Sequence, residues 1–263
     1  MLDNSVFTEE DLDLPNPAGR PVPVAEYVRA EHSPISHLAH DWELYSAILL
    51  SPAEERSMVR EPAQAVPNTA AARIGRLRAL LVPYISCAPE GDLVNFSKPD
   101  SGETHTSVWV EIEGTAHVLL ACREMDAHDT GFELLACTAE LVRPRLGPSE
   151  MGDFEHLLEE ELRRGVTGEI DDEAGRAKKA LLRRGLRRQS VAEFGKYCEA
   201  AWVATLAEYM HGLWHDVQIR VGPEHLPVAE LRRRMELMAR LFPPNEGYQV
   251  FDEELDRTEN GED

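Results

Sequence analysis

Apolar side chains recur along this chain at two different periods, and the change of period organises it. Ile35, Leu38, Trp42, Tyr45 and Leu49 fall at steps of three and four, which gathers them on one side of an α-helix. Ser33 followed by Pro34 offers that helix an N-cap and a first-turn proline, whose missing N–H costs nothing there. A second helical piece is expected over 69–81, ended by Pro83. Residues 87–103 are rich in Pro, Gly, Asp and Ser and read as a connector. The period then drops to two. Val108, Val110 and Ile112 alternate with Trp109, Glu111 and Glu113, the pattern of a half-buried strand, and Gly114 supplies a turn. Residues 117–122 and 132–141 are expected as two further strands joined by the polar loop 124–131, and the short connections imply an antiparallel meander.

From residue 150 onward the pattern is helical. A single helix is expected over 193–217, with Phe194, Cys198, Trp202, Leu206, Tyr209 and Leu213 on one side. The last helix begins near Pro227, carries Val228, Leu231, Met235, Met238 and Phe242, and is stopped by Pro243 and Pro244. The expected fold class is therefore α+β: a three-stranded antiparallel meander packed against a mainly helical body, since three strands alone are only marginally stable. The expected organisation is a flexible arm over 1–24, an N-terminal helical region with its connector over 25–103, the meander over 104–146, a C-terminal helical region over 147–250 and an acidic tail over 251–263. The arm holds five acids, one arginine and four prolines, and the tail holds seven acids and one arginine, compositions that bury little.

Charge narrows the function classes. The 263 residues carry 27 basic and 48 acidic side chains, a formal net charge of −21, which argues against general nucleic-acid binding because that needs a basic face. A hydrophobic share of 43% is enough for a real core. The acidic first ten residues do not read as an export signal, and no apolar run approaches the roughly 18 residues that cross a bilayer, so a cytoplasmic chain with no membrane contact is expected. Cys87, Cys122, Cys137 and Cys198 form no C-x-x-C pair and read as small buried hydrophobes in a reducing compartment.

Four groups of residues invite a chemical reading. On the helix over 193–217, Glu208, His211 and His215 fall together away from the apolar stripe and could direct three ligands at zinc or iron. The position after His211 is Gly212, so the general base of the H-E-x-x-H metalloproteases is missing. His37 and His40, with His32 and Asp41 nearby, could complete that site if the two long helices lay side by side. Glu124, Asp126, His128 and Asp129 could hold a hard cation, although EF-hand spacing is absent. Finally, residues 150–173 hold ten acids and two arginines, whereas residues 174–192 hold seven bases and no acid. Of these bases Arg176, Lys179, Arg183, Arg184, Arg187 and Arg188 are the expected contacts for a protein partner. No nucleophile elbow, P-loop or dinucleotide fingerprint accompanies them. The leading expectation is a non-enzymatic intracellular adaptor or assembly protein that needs no cofactor and binds another protein through the charge-split segment. The alternative is a zinc- or iron-binding protein, or a metal-dependent hydrolase, built on Glu208, His211, His215, His37 and His40.

Overall fold

The computed structural model describes residues 19–30, 34–100, 102–184, 191–215 and 222–250, and it is a mixed α+β protein. Its centre is a five-stranded sheet in the order β2 (Ser36–His37), β3 (Glu43–Ser46), β4 (Leu77–Val82), β9 (Thr115–Ala121) and β8 (Ser107–Ile112). The pairs β3–β4 and β4–β9 are parallel, while β2–β3 and β8–β9 are antiparallel. A four-stranded antiparallel sheet follows the order β1 (Val22–Pro23), β6 (Leu93–Asn95), β5 (Tyr84–Ser86) and β7 (Thr104–His105). The short helix α1 (Val24–Tyr27) follows β1.

The five-stranded sheet is buried on both faces, and alternate residues of its central strands divide between two cores. Leu77, Ala79 and Leu81 of β4, with Ala116, Val118 and Leu120 of β9, face the helices. Leu80, Val82, Leu119 and Ala121 meet Ile85, Val94, Val24 and Tyr27 from the small sheet and α1. Such strands read as continuous apolar runs rather than as alternation. The helices are α2 (Pro52–Glu55), α3 (Glu61–Ala65), α4 (Asn68–Ile74), α5 (Ala127–Val142), α6 (Pro148–Arg164), α7 (Asp172–Arg184), α8 (Val191–Trp214) and α9 (Val228–Leu241), with a π-helical turn at Arg56–Arg60 joining α2 to α3.

Three sequence expectations are corrected here. The stripe from Ile35 to Leu49 is not a helix: the chain forms β2, reverses through Ala39–Asp41 with positive φ at His40 and Asp41, and returns as β3. Leu38, Trp42 and Tyr45 are buried as expected, but Ile35 and Leu49 are exposed, and Trp42 Nε1 donates to the Gly75 carbonyl at 3.1 Å. Parallel pairing of β3 with β4 overrides the local helical spacing. The piece expected over 69–81 is helical only as far as Ile74; Gly75, at φ 75°, ends it and turns the chain into β4. Residues 132–141 are not a third meander strand but part of α5, because the Asp126 carboxylate accepts the Asp129 N–H and caps a helix. Of the meander only the β8–β9 hairpin is present, and the remaining partner of β9 is β4. The expected connector over 87–103 contains β6. The expected helix start at Ser33 and end at Val217 lie outside the described residues.

Beneath α7 and α8 the charge-split segment resolves into a buried ion network. Arg234 of α9, fully buried, donates to Glu161 of α6 through Nε at 3.0 Å and Nη2 at 2.6 Å, and to Glu169 through Nη1 at 2.8 Å. Lys178 of α7 and the Tyr197 hydroxyl of α8 also donate to Glu169 Oε1, at 3.0 and 2.5 Å. Two carboxylates thus face two cations. Glu169 is placed by backbone hydrogen bonds with Glu224 and Leu226, and Gly168 (φ 77°) leaves no room for a Cβ, which would lie 2.1 Å from the His225 oxygen. Burial alone would raise the Glu169 carboxyl, but Arg234, then Lys178 and Tyr197, overcome it and hold it at about 2.

Candidate metal centre and its cleft

Three strand ends of the small sheet bring together side chains that are far apart in sequence. Cys87 follows β5, Asp92 precedes β6 and His105 closes β7; β5 lies between the other two strands, so its end is flanked by both. The register places Ile85 opposite His105 and Ser86 opposite Leu93, and the Cys87 N–H donates to the Glu103 carbonyl at 2.9 Å. Across the pair, Asn95 Nδ2 donates to Ser86 Oγ at 2.8 Å and fastens the strands below the cluster.

Cys87 Sγ lies 2.5 Å from His105 Nε2, and Asp92 Oδ1 lies 3.4 Å from that same nitrogen. All three ligand atoms fall within 4.8 Å of one another, in partly buried side chains. A thiol–imidazole–carboxylate triad would use opposite imidazole nitrogens, the carboxylate orienting one while the other takes the thiol proton. Here one nitrogen faces both groups, so the three atoms converge on a point. Desolvation, with Asp92 and Glu103 close by, pushes the Cys87 thiol up, the reverse of what activates a free nucleophile. A sulfur, an imidazole nitrogen and a carboxylate oxygen around one point are the donor set of zinc, with three protein ligands leaving a fourth position open.

That fourth position adjoins a cavity. Asp92 and His105 line a space of about 210 Å3 together with Ser107, Trp109, Cys137 and Glu140. The strand β8 presents Ser107 and Trp109 on one face by its two-residue period, and α5 presents Glu133, Cys137 and Glu140 at helical spacing opposite them. Ser107 Oγ donates to Glu133 and Trp109 Nε1 to Glu140, each at 2.5 Å. A larger cavity of about 380 Å3 shares Trp109 and Glu140 and continues past Arg143, Asp171, Glu173 and Glu199. Partial desolvation, then Glu173 and Glu133, push the Glu140 carboxyl up, while its bond from Trp109 opposes them. Partial desolvation likewise raises the Asp171 carboxyl, opposed by the bond it accepts from the Ala174 N–H and aided by Glu173 and Glu169. Arg143 is held by Glu199 at 2.6 Å, so the acids of this cleft outnumber its one cation.

The residues singled out from sequence are placed as follows. His211 is buried near the end of α8, with Nε2 3.0 Å from His128 Nε2 and Nδ1 3.9 Å from Glu208 Oε1. His215 joins them by ring contact. His37 lies in β2, away from α8, where its backbone carbonyl accepts from Arg60 at 3.3 Å, and the His40 ring turns to the Ala63 oxygen, 3.0 Å from Nε2. The companion of His211 is therefore His128, on α5, and not a histidine of the first histidine cluster. Asp126, His128 and Asp129 do converge, but Glu124 turns to Lys98 and Thr104. Arg176, Lys179 and Arg183 lie exposed along α7, with no ion pair among the described residues, while Lys178 is drawn into the buried network. Arg184 belongs to α7, and Arg187 and Arg188 lie outside the described residues, as does His32. Of the cysteines, Cys122, Cys137 and Cys198 are buried, as expected; Cys87 is not fully buried.

Cys87, Asp92 and His105 escape sequence reasoning because their separations match no local motif; strand pairing alone brings them together. The signal that was available is modest: a cysteine and a histidine at the two ends of a turn-rich segment that borders a strand. No helix among the described residues is long and apolar enough to cross a membrane. Comparison with protein-family models, with curated proteins and with solved structures finds no match for this chain.

Proposed function

We propose that this protein binds a divalent transition-metal ion, zinc by its donor set, through Cys87, Asp92 and His105, and presents it to molecules entering the cleft beside Trp109 and Glu140. The single observation behind this is the convergence of a sulfur, a nitrogen and an oxygen donor within 4.8 Å at the mouth of a cavity. The thiol, when bound as thiolate, and the carboxylate neutralise the ion, and the neutral imidazole completes three ligands. The open fourth position suits Lewis-acid or hydrolytic chemistry on a bound molecule, which makes a metal-dependent hydrolase the enzymatic form of this proposal.

Calorimetric titration of the chelator-stripped chain with zinc tests it. Cys87→Ser and His105→Ala are each expected to weaken binding at this centre by more than about 100-fold, beyond the roughly 10- to 100-fold that follows loss of a supporting partner. Titration curves identical to those of the unaltered chain would end the proposal.

Contact with another protein stands as a second reading, favoured by the exposed basic row Arg176, Lys179 and Arg183 on an otherwise acidic molecule. An acidic partner suits that row. Polyglutamate is expected to bind the unaltered chain in low salt and to lose the triple charge-reversed variant; equal binding by both contradicts this reading.

A further inference from the structure

We infer that His128, His211 and His215 form a second metal site, made of imidazoles alone and independent of the Cys87 centre, with Asp129 and Glu208 as positioning carboxylates. It sits where the first turn of α5 meets the last turn of α8. Gly131 permits the approach, because a Cβ there would lie 2.5 Å from the Trp214 ring. Trp214 in turn stacks on His128 at 5.2 Å and 18°, and Phe132 meets His211 edge-on at 5.5 Å, so both rings are held in place by their neighbours.

The spacing matches a shared ion. Two imidazole nitrogens bound to one tetrahedral zinc at about 2.0–2.1 Å stand roughly 3.3 Å apart, with ring centroids roughly 5 Å apart. The two Nε2 atoms of His128 and His211 are 3.0 Å apart. The ring centroids are separated by 5.1 Å for His128 and His211, 5.1 Å for His128 and His215, and 5.8 Å for His211 and His215. His215 stands at the exposed rim with its ring 5.1 Å from that of His128, and its ligation requires the side chain to rotate toward the other two.

The outer nitrogens support the same arrangement. Asp129 Oδ1 lies 3.6 Å from His128 Nδ1, and Glu208 Oε1 lies 3.9 Å from His211 Nδ1. A carboxylate beside the far nitrogen of a metal-bound histidine favours N–H there and leaves the inner nitrogen a lone pair for the metal. Without a metal the 3.0 Å between the two Nε2 atoms is spanned by one N–H···N hydrogen bond; with both carboxylates closed onto the outer nitrogens, the two inner lone pairs would instead be free to share a cation. His211 Nδ1 is buried and has no hydrogen-bond partner at ordinary distance, so a small shift of Glu208 on binding would also satisfy it.

Cobalt(II), a spectroscopic probe for zinc sites, separates the two centres. The chelator-stripped full chain is expected to take two equivalents, one of which shows a thiolate-to-cobalt charge-transfer band. Cys87→Ser is expected to keep one equivalent with no such band. Adding His128→Ala to that variant should weaken the remaining equivalent by more than about 100-fold, and adding His215→Ala by about tenfold or more. His211 is left intact because its replacement would open a cavity in the core. The inference is overturned if the Cys87→Ser chain binds no cobalt, or if its remaining equivalent is indifferent to both histidine substitutions while circular dichroism shows the variants folded. An unaltered chain that shows no charge-transfer band while the histidine equivalent binds would instead count against the Cys87 centre alone.

Discussion

Two regions of this molecule use similar residue types to opposite ends. Around Arg234, two carboxylates and two cations are sealed from water, and every charge faces an opposite one at hydrogen-bond distance. Around Cys87 and Trp109, the polar groups are only partly buried, the carboxylates outnumber the bases, and three donor atoms of different chemistry point at one another. Compensated charge tells α6, α7, α8 and α9 how to assemble. Uncompensated donors beside a cavity are suited to holding something that comes from outside. The difference is a matter of balance and access, because carboxylates serve both regions.

Removing Arg234 should break this comparison on its structural side most severely. Arg234→Ala leaves Glu161 and Glu169 buried without their main partner, and a loss of about 3–5 kcal/mol in denaturant unfolding is expected, with metal affinity of the folded fraction unchanged. Acid should act on the same network. The Glu169 carboxyl, held at about 2 against an ordinary glutamate value near 4.5, contributes stability that is fully present above about pH 4.5 and is lost as pH falls toward 2. That loss is on the order of 3 kcal/mol by linkage and should appear as a falling thermal midpoint across this window. On the other side, Cys87→Ser should change metal-free stability by no more than about 0.5 kcal/mol, as expected of a partly exposed position, while the metal centre fails. Trp109→Phe, which removes the donor to Glu140 at an exposed bond, should cost about 1 kcal/mol or less in urea unfolding and leave the metal centre intact.

What could be read from sequence follows the same physical divide between local and non-local causes. The strand β8 was legible because it is an edge strand with one half-exposed face, so Val108, Val110 and Ile112 alternate with polar neighbours. The helix α9 was legible because Pro227 and the Pro243–Pro244 pair mark its ends. The central strand β4 was hidden because both its faces are buried, which erases the alternation and leaves a run that resembles a helix. The stripe from Ile35 to Leu49 misled for a different reason: its reversal uses positive φ at His40 and Asp41, residues that do not advertise a turn as glycine does. The helix α5 was obscured because Asp126 and Asp129 suit a loop as well as a cap.

The candidate sites divide likewise. His211 and His215 were found because helical spacing is a local property. Their partner His128 was noticed only as part of a polar loop, since nothing local joins α5 to α8. Cys87, Asp92 and His105 depend wholly on which strands pair, and the buried role of Lys178 depends on the loop that carries Glu169. A charge run marks a surface only until tertiary structure folds part of it inward.

The most direct test of the central claim is the absorption spectrum of the full chain as cobalt(II) is added to chelator-stripped protein at neutral pH. With cobalt(II) raised to two equivalents so that both proposed sites fill, a thiolate-to-cobalt charge-transfer band that disappears in Cys87→Ser and persists in Trp109→Phe is the expected result. A spectrum without that band, or a band that survives Cys87→Ser, would contradict the assignment of Cys87, Asp92 and His105 as a metal centre.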